Sequence, residues 1–397
     1  MTADLSRRSF LTLSAGGAVG AGSLSVAQLL PSLAERAVAG APAIVKPLPP
    51  EWFIDYGSNA EMRWDSVDPR VYDTPAARLF VRDHTSTPTV DASTYALRIH
   101  GDGLKDPDGV TLSLAQIKAF RHHEVTSVHE CTGNGRSFFG TQQGQAATGT
   151  QWTLGAVGTV RWTGVRLRDV LGAVGVRRDA VSIMATGLDP NYVDKGTDYG
   201  PVRRPFPIEK AYDDALLAWA MNGDPLLPDH GFPLRLVLPG WVGIGSIKWL
   251  GSLEVSTTEQ TSPWSTTWYT LDGEPLTVNP VRSAWELAWD GEIPAARRVV
   301  LTGRSWSGAA PIARVEVSTD TGATWHRATL HAPGRATAGE GHGWTQWSYT
   351  WHDPQPGAHT LLARATDALG RTQPDETPYN ANGYFFDAVV RHPVTVV

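Results

Sequence analysis

The 397-residue chain is 41% apolar and 19% charged, a globular composition that excludes a disordered protein and leaves room for two ordinary domains. A formal charge of -6, with no Lys/Arg-rich run, excludes the basic footprint of a nucleic-acid binder. A single cysteine excludes any internal disulfide, and the 16 tryptophans, scattered over both halves, read as core and interface residues.

In chain order, residues 1–42 read as a twin-arginine (Tat) export leader. Ser6-Arg7-Arg8-Ser9-Phe10-Leu11 precedes a weakly apolar, Ala/Gly/Ser-rich run to Val26, and small residues follow near Ala39 to Ala43. The run is short and glycine-rich for a membrane helix, and no later window offers about twenty apolar residues. The expectation is therefore an exported, periplasmic or extracytoplasmic protein with no stable membrane span.

Residues 43–255 read as a mixed α+β domain. Ala43 to Pro69 is a Pro/Trp-rich lead-in for which no element is predicted. Strand-like pieces at Tyr95–His100, Glu124–His129, Val181–Ala185 and Leu234–Leu238 alternate with helical pieces at Leu114–Phe120, Leu167–Val174 and Glu209–Met221. From residue 256 to 397 the helical signals stop. Strands are predicted at Arg298–Gly303, Ile312–Ser318, Trp344–Trp351 and Thr360–Thr366, separated by turns such as Asp320-Thr321-Gly322 and Pro356-Gly357, a spacing that predicts an immunoglobulin-like β-sandwich.

The lone Cys131 lies in the run His129-Glu130-Cys131-Thr132-Gly133-Asn134-Gly135-Arg136-Ser137-Phe138-Phe139. The Thr-Gly-Asn-Gly tetrad after it favours a tight loop, which would hold the sulfur toward a ligand. A cysteine acting only as a small buried hydrophobe is the competing reading. No histidine set with zinc spacing is evident in the sequence.

Taken with further segments in order, this loop resembles the sulfite oxidase family of molybdopterin enzymes from about Phe80 to the C-terminus. The segments are Phe80-Val81-Arg82-Asp83-His84, Trp152 leading into Val160-Arg161-Trp162-Thr163-Gly164-Val165-Arg166-Leu167, Asp229-His230-Gly231-Phe232-Pro233-Leu234-Arg235, Lys248-Trp249-Leu250-Gly251, and Trp306-Ser307-Gly308 with Val315-Glu316-Val317-Ser318. The resemblance implies a molybdopterin-binding α+β domain followed by an immunoglobulin-like dimerisation domain, hence a homodimer. It implies a molybdenum-molybdopterin cofactor whose metal is held by Cys131, a thiolate suiting a high-valent metal by its charge and softness. For the pterin it implies His84, His230, Arg235 and Lys248, backbone contacts at Phe80, Val81, Ser246 and Ile247, and Asp194 or Asp198. Arg82 and Arg136 match substrate-pocket arginines, whose planar forks suit oxyanions, and Trp152 and Tyr269 match its aromatic pocket residues.

The implied activity is oxygen-atom transfer to a sulfur oxyanion, sulfite to sulfate. Electrons would pass to an external acceptor such as a c-type cytochrome, because the sequence has no CxxCH haem motif. One departure stands out. Ala309-Ala310-Pro311 occupies the place of a further pocket arginine, unless Arg304 or Arg314 substitutes for it. That keeps open oxidation of another sulfur compound, or a sulfoxide-type reductase. Outside the resemblance, a thiol hydrolase using Cys131 with His129 or His84 as base and a non-enzymatic secreted binding module are the rival readings.

Overall fold

The computed structural model describes residues 44–331 and 343–397, so the expected leader lies outside the described residues. The lead-in carries a hairpin, Phe53–Asp55 against Asn59–Met62, whose second strand pairs with Val81–Arg82 through Asn59↔Arg82 and Ala60↔Val81. Local sequence gave no sign of it, because the hairpin is stabilised by burying Phe53 and Ala60 against Ile44 and Val81.

Two sheets frame the rest of the first half. One has the order Arg203–Pro207, Ser182–Gly187, Leu250–Ser256, Ala96–His100, Val110–Ser113. Leu250–Ser256 and Ala96–His100 run parallel, and the other neighbours are antiparallel. The second runs Asp224–Pro225, Leu216–Met221, Val157–Arg166, His122–Glu130, with Arg235–Val237 also on Leu216–Met221. Leu97, Ile99, Val165, Leu171, Ile183, Leu217 and Leu253 share the core of this half with the helix Leu167–Val174.

The predicted helix over Glu209–Met221 is corrected. A short helix, Ile208–Asp213, stops at Asp214, and Leu216–Met221 is a strand bonded on one edge to Val157–Arg166 and on the other to Arg235–Val237. Its apolar run is buried on both faces, and an unbroken apolar run carries no period by which helix and strand differ. A one-turn helix at Pro263–Thr266 likewise interrupts the predicted all-strand second half.

The four strands predicted in the second half, together with five that were not predicted, form two facing sheets. Arg282–Trp285, Arg298–Trp306, Thr345–His352 and Thr329–His331 make one; Gly291–Ile293, His392–Val396, Gly357–Asp367, Ile312–Ser318 and His326–Arg327 make the other. Leu301, Val315, Val317, Leu361 and Ala365 fill the space between them, with Trp285 edge-on to Trp347 at 4.8 Å between ring centroids. This is the sandwich architecture expected of alternating strands with inward apolar faces.

Candidate functional site

The strand His122–Glu130 ends at the cysteine loop, and backbone bonds fix the loop at each step. Cys131 N–H donates to Ala156 O (2.9 Å), Asn134 N–H to Cys131 O (2.9 Å) and Arg136 N–H to Gly133 O (3.0 Å), after which the helix Ser137–Thr141 begins. A side chain at 133 would have to displace the Arg136 guanidinium. A Cβ there would lie 2.4 Å from the Arg136 guanidinium.

Below the loop, the buried Glu130 carboxylate accepts from Asn134 Nδ2 (2.9 Å) and Trp306 Nε1 (3.0 Å) and pairs with Arg282 at 3.0 Å. Arg282 also donates to Asn134 O (2.6 Å). Trp306 and Arg282 both come from the sandwich, so the second half of the chain braces the cysteine loop from behind.

Cys131 opens into a cleft lined by Phe80, Arg82, Asp83, His84, His129, Thr132, Asp189, Val202, Arg235, residues 243–244 and 246–249, and Tyr269. Of the residues predicted from sequence, the structure brings together Cys131, Phe80, Arg82, His84, Arg235, Ser246, Ile247, Lys248 and Tyr269. Five others lie outside this lining. Val81 points into the small core around Ile44 and Phe53. Trp152 is buried in the layer behind Cys131, edge-on to Phe80 at 6.4 Å.

Asp194 is on a two-residue strand paired with Thr197–Asp198, away from the lining. His230 sits one layer back with its Nε2 3.3 Å from Lys46 Nζ. Arg136 donates to Asn382 O (2.7 Å) and Thr150 O (2.8 Å), with its guanidinium 5.7 Å from the Tyr384 ring centroid.

The cations of the cleft differ in how far they are already satisfied. Arg235 donates to His230 O and Ser246 O, both 3.0 Å, and its Nη2 lies 3.2 Å from His129 Nε2; burial pulls its pKa down to about 9. Lys248 donates to Asp229 O (2.8 Å) and makes an ion pair with Asp83. Burial works against charge on both members of that pair, and each opposes the shift of the other.

Arg82 is unlike these, since its side chain makes no hydrogen bond or ion pair among the described residues, its backbone being taken up in the ladder with Asn59. Burial pulls against its charge, but Tyr269, Cys131 and Asp83 more than offset this, so it stays cationic.

Burial first, and then neighbouring Arg82 or Arg235 and Lys248, holds His84 and His129 well below the usual imidazole range. Tyr269 Oη lies 3.1 Å from His84 Nε2, and burial pushes the phenol's pKa up. Neither imidazole is hydrogen-bonded to Cys131. A thiol hydrolase would require such a pair.

Sequence reasoning gave no role to Asp83, Thr132, Asp189, Trp249 or Tyr384. Tyr384 stacks on Tyr269 at 5.2 Å, and its Oη accepts from Tyr269 N at 3.3 Å. Its place near the C-terminus carries no motif that could have signalled this. Thr132 lay in view beside Cys131, and only its burial and its unpartnered hydroxyl mark it out.

The residues present fit a bulky cofactor with many hydrogen-bonding edges. A thiol and donors converge on the cleft, and Gly243 lets the 243–248 loop approach the end of the cysteine strand, where a Cβ would fall 2.7 Å from Glu130 O.

The "oxidoreductase molybdopterin binding domain" family model matches residues 84–264, and that of the "Mo-co oxidoreductase dimerisation domain" matches 279–396. Mitochondrial sulfite oxidase of Rattus norvegicus is 34% identical over 352 residues, covering 82% of this chain; the chain spans only 62% of that relative's length. Sulfite oxidase of Gallus gallus is 34% identical over 327 residues, 76% of this chain and 68% of the relative. Among solved structures, the sulfane dehydrogenase SoxCD of Paracoccus pantotrophus superposes with a TM-score of 0.70 at 26% identity, covering 95% of this chain and 92% of that one.

Proposed function

The chain belongs to the sulfite oxidase family of molybdopterin-dependent oxidoreductases, and on that premise we propose that it oxidises a small sulfur oxyanion, sulfite, to sulfate. The observation that carries this reading is Arg82, a half-buried cation in the same cleft as Cys131 whose side chain has no hydrogen bond or ion pair among the described residues. A desolvated guanidinium with no internal partner is a standing attraction for an anion, and its fork matches two oxygens of a sulfur oxyanion.

When bound, molybdenum-molybdopterin supplies the oxygen atom and takes up two electrons. Cys131 is the residue that would hold its metal, and Arg235, Ser246, Ile247 and Lys248, with His84, line the space for the pterin. The anion is oriented by Arg82, with Arg136, held on the Thr150 and Asn382 carbonyls, adding positive charge that Cys131 feels. Tyr269 Oη, bonded to a neutral His84, holds a proton at the wall of the cleft. The two electrons would pass to an external acceptor, a c-type cytochrome. The matched dimerisation domain supports a homodimer, and the Tat-type leader supports export.

A second reading, another sulfur compound as substrate, is favoured by one observation. Neither candidate for the missing third cation is available. Arg304 is buried on Glu286 and on the carbonyls of Asp68, Val71 and Tyr72, while Arg314 is half-exposed beside Glu316.

Metal analysis with sulfite-dependent cytochrome c reduction tests the proposal on purified protein. Absence of molybdenum from protein made with cofactor synthesis intact removes the cofactor assignment. Metal without sulfite turnover, but with turnover of another compound in a sulfur panel, transfers the reading to that substrate.

A further inference from the structure

Thr132 lines this cleft and carries an unexplained polar group, its buried hydroxyl. Thr132 is 2% exposed, follows Cys131 directly and lines the cavity, yet its Oγ1 has no hydrogen-bond partner among the described residues. The Cys131 sulfur is therefore not serving it, nor is any backbone carbonyl. Its position is fixed by the main chain, because Thr132 O accepts from Phe385 N at 3.0 Å, and a β-branched side chain has few χ1 states by which to turn away. Burying a hydroxyl without a partner is costly, and that cost is relieved when an acceptor enters the cleft.

We propose that Thr132 is a specificity-determining residue whose hydroxyl donates a hydrogen bond to an oxygen of the sulfur oxyanion, completing the contacts begun by the Arg82 guanidinium. The inference rests on the oxyanion reading above. A guanidinium fork engages two oxygens, and a pyramidal or tetrahedral oxyanion presents a third. With Arg304 and Arg314 both engaged elsewhere, that oxygen meets a neutral hydroxyl from the cysteine loop in place of a cation. Thr132 thus rewards substrates with three oxygens on sulfur and does nothing for a compound bearing one.

The test uses molybdenum-loaded enzyme and sulfate as a non-reacting probe, measured by calorimetry, alongside sulfite kinetics. Thr132→Val keeps the shape and removes the donor. The expected result is a rise of about tenfold or more in both the sulfate Kd and the sulfite KM, the size of one hydrogen bond to a charged group. In the same variant kcat stays within about twofold and molybdenum content is unchanged, since the lost contact is made in ground and transition states alike. Thr132→Ser should restore both constants.

Unchanged sulfate affinity in Thr132→Val overturns the inference. Loss of molybdenum in that variant also overturns it, by assigning the hydroxyl to the cofactor, as does failure of Thr132→Ser to restore binding. Arg82→Gln separates this from the underlying reading: if sulfate affinity does not fall in that variant, the oxyanion proposal itself is wrong, whatever Thr132 does.

Discussion

Arg282→Met isolates the contact by which the sandwich braces the cysteine loop. In the native chain the Arg282 and Glu130 side chains are 2% and 1% exposed and 3.0 Å apart, and the same guanidinium donates to Asn134 O at 2.6 Å. Methionine fills comparable space without charge, leaving Glu130 with only the neutral donors Asn134 Nδ2 and Trp306 Nε1. Breaking a buried pair from one side costs about 3–5 kcal/mol, because the surviving charge stays desolvated.

Burial already pushes the Glu130 carboxyl upward and Arg282 opposes it, so losing the arginine raises that pKa further. A folded-state pKa raised above the unfolded one gives stability that is present at low pH and lost as pH rises. The deficit of Arg282→Met should therefore be larger at pH 8 than at pH 5.5. Adding Glu130→Gln removes the stranded charge, and the double variant should regain more than half of the loss. Urea denaturation at both pH values, run as a double-mutant cycle, measures this. An Arg282→Met variant within about 0.5 kcal/mol of wild type, or a double variant equal to the sum of the singles, would refute the reasoning.

Three other substitutions probe the site. Arg82→Gln should lower kcat/KM for sulfite by about 10- to 150-fold, a loss of about 1.5–3 kcal/mol for one charge-assisted contact, read by steady-state kinetics. Gly133→Ala drives a methyl into the Arg136 guanidinium, 2.4 Å from its nearest nitrogen, and should depress sulfite turnover while the far-ultraviolet circular dichroism stays that of the wild type.

Glu61 is buried under Tyr56 Oη (2.8 Å) and the 153–155 backbone, and burial lifts its pKa from 4.5 to about 7. Its raised pKa gives stability that is full below about pH 4.5 and lost as pH rises through about 7, a difference of about 3 kcal/mol. Glu61→Gln should flatten the dependence of Tm on pH over that window, and an unchanged slope counts against the assignment.

The order of the fold was readable where local periodicity is strong. Alternating strands such as Ile312–Ser318, and the capped amphipathic run Leu167–Val174, ending at the left-handed Gly175, announce themselves from residue to residue. The Leu216–Met221 run does not, because burial on both faces erases the period that would have told strand from helix.

The same division holds for the site. Sequence alone singled out Cys131 and its Thr-Gly-Asn-Gly loop and, through the ordered segments that resemble one family, Arg82, His84, Arg235, Lys248 and Tyr269, because residue type and spacing along the chain are local properties. Which of two cleft cations is already engaged and which is not is a property of neighbours far away in sequence. Only the tertiary structure decided that Arg235 is bonded to His230, Ser246 and His129 while the Arg82 side chain has no partner among the described residues, that His230 and Val81 lie outside the cleft lining, and that Arg282 and Trp306 of the sandwich reach Glu130 beside the cysteine loop. Hydrogen bonds and ion pairs are satisfied in space, and the chain brings their partners together only when it folds.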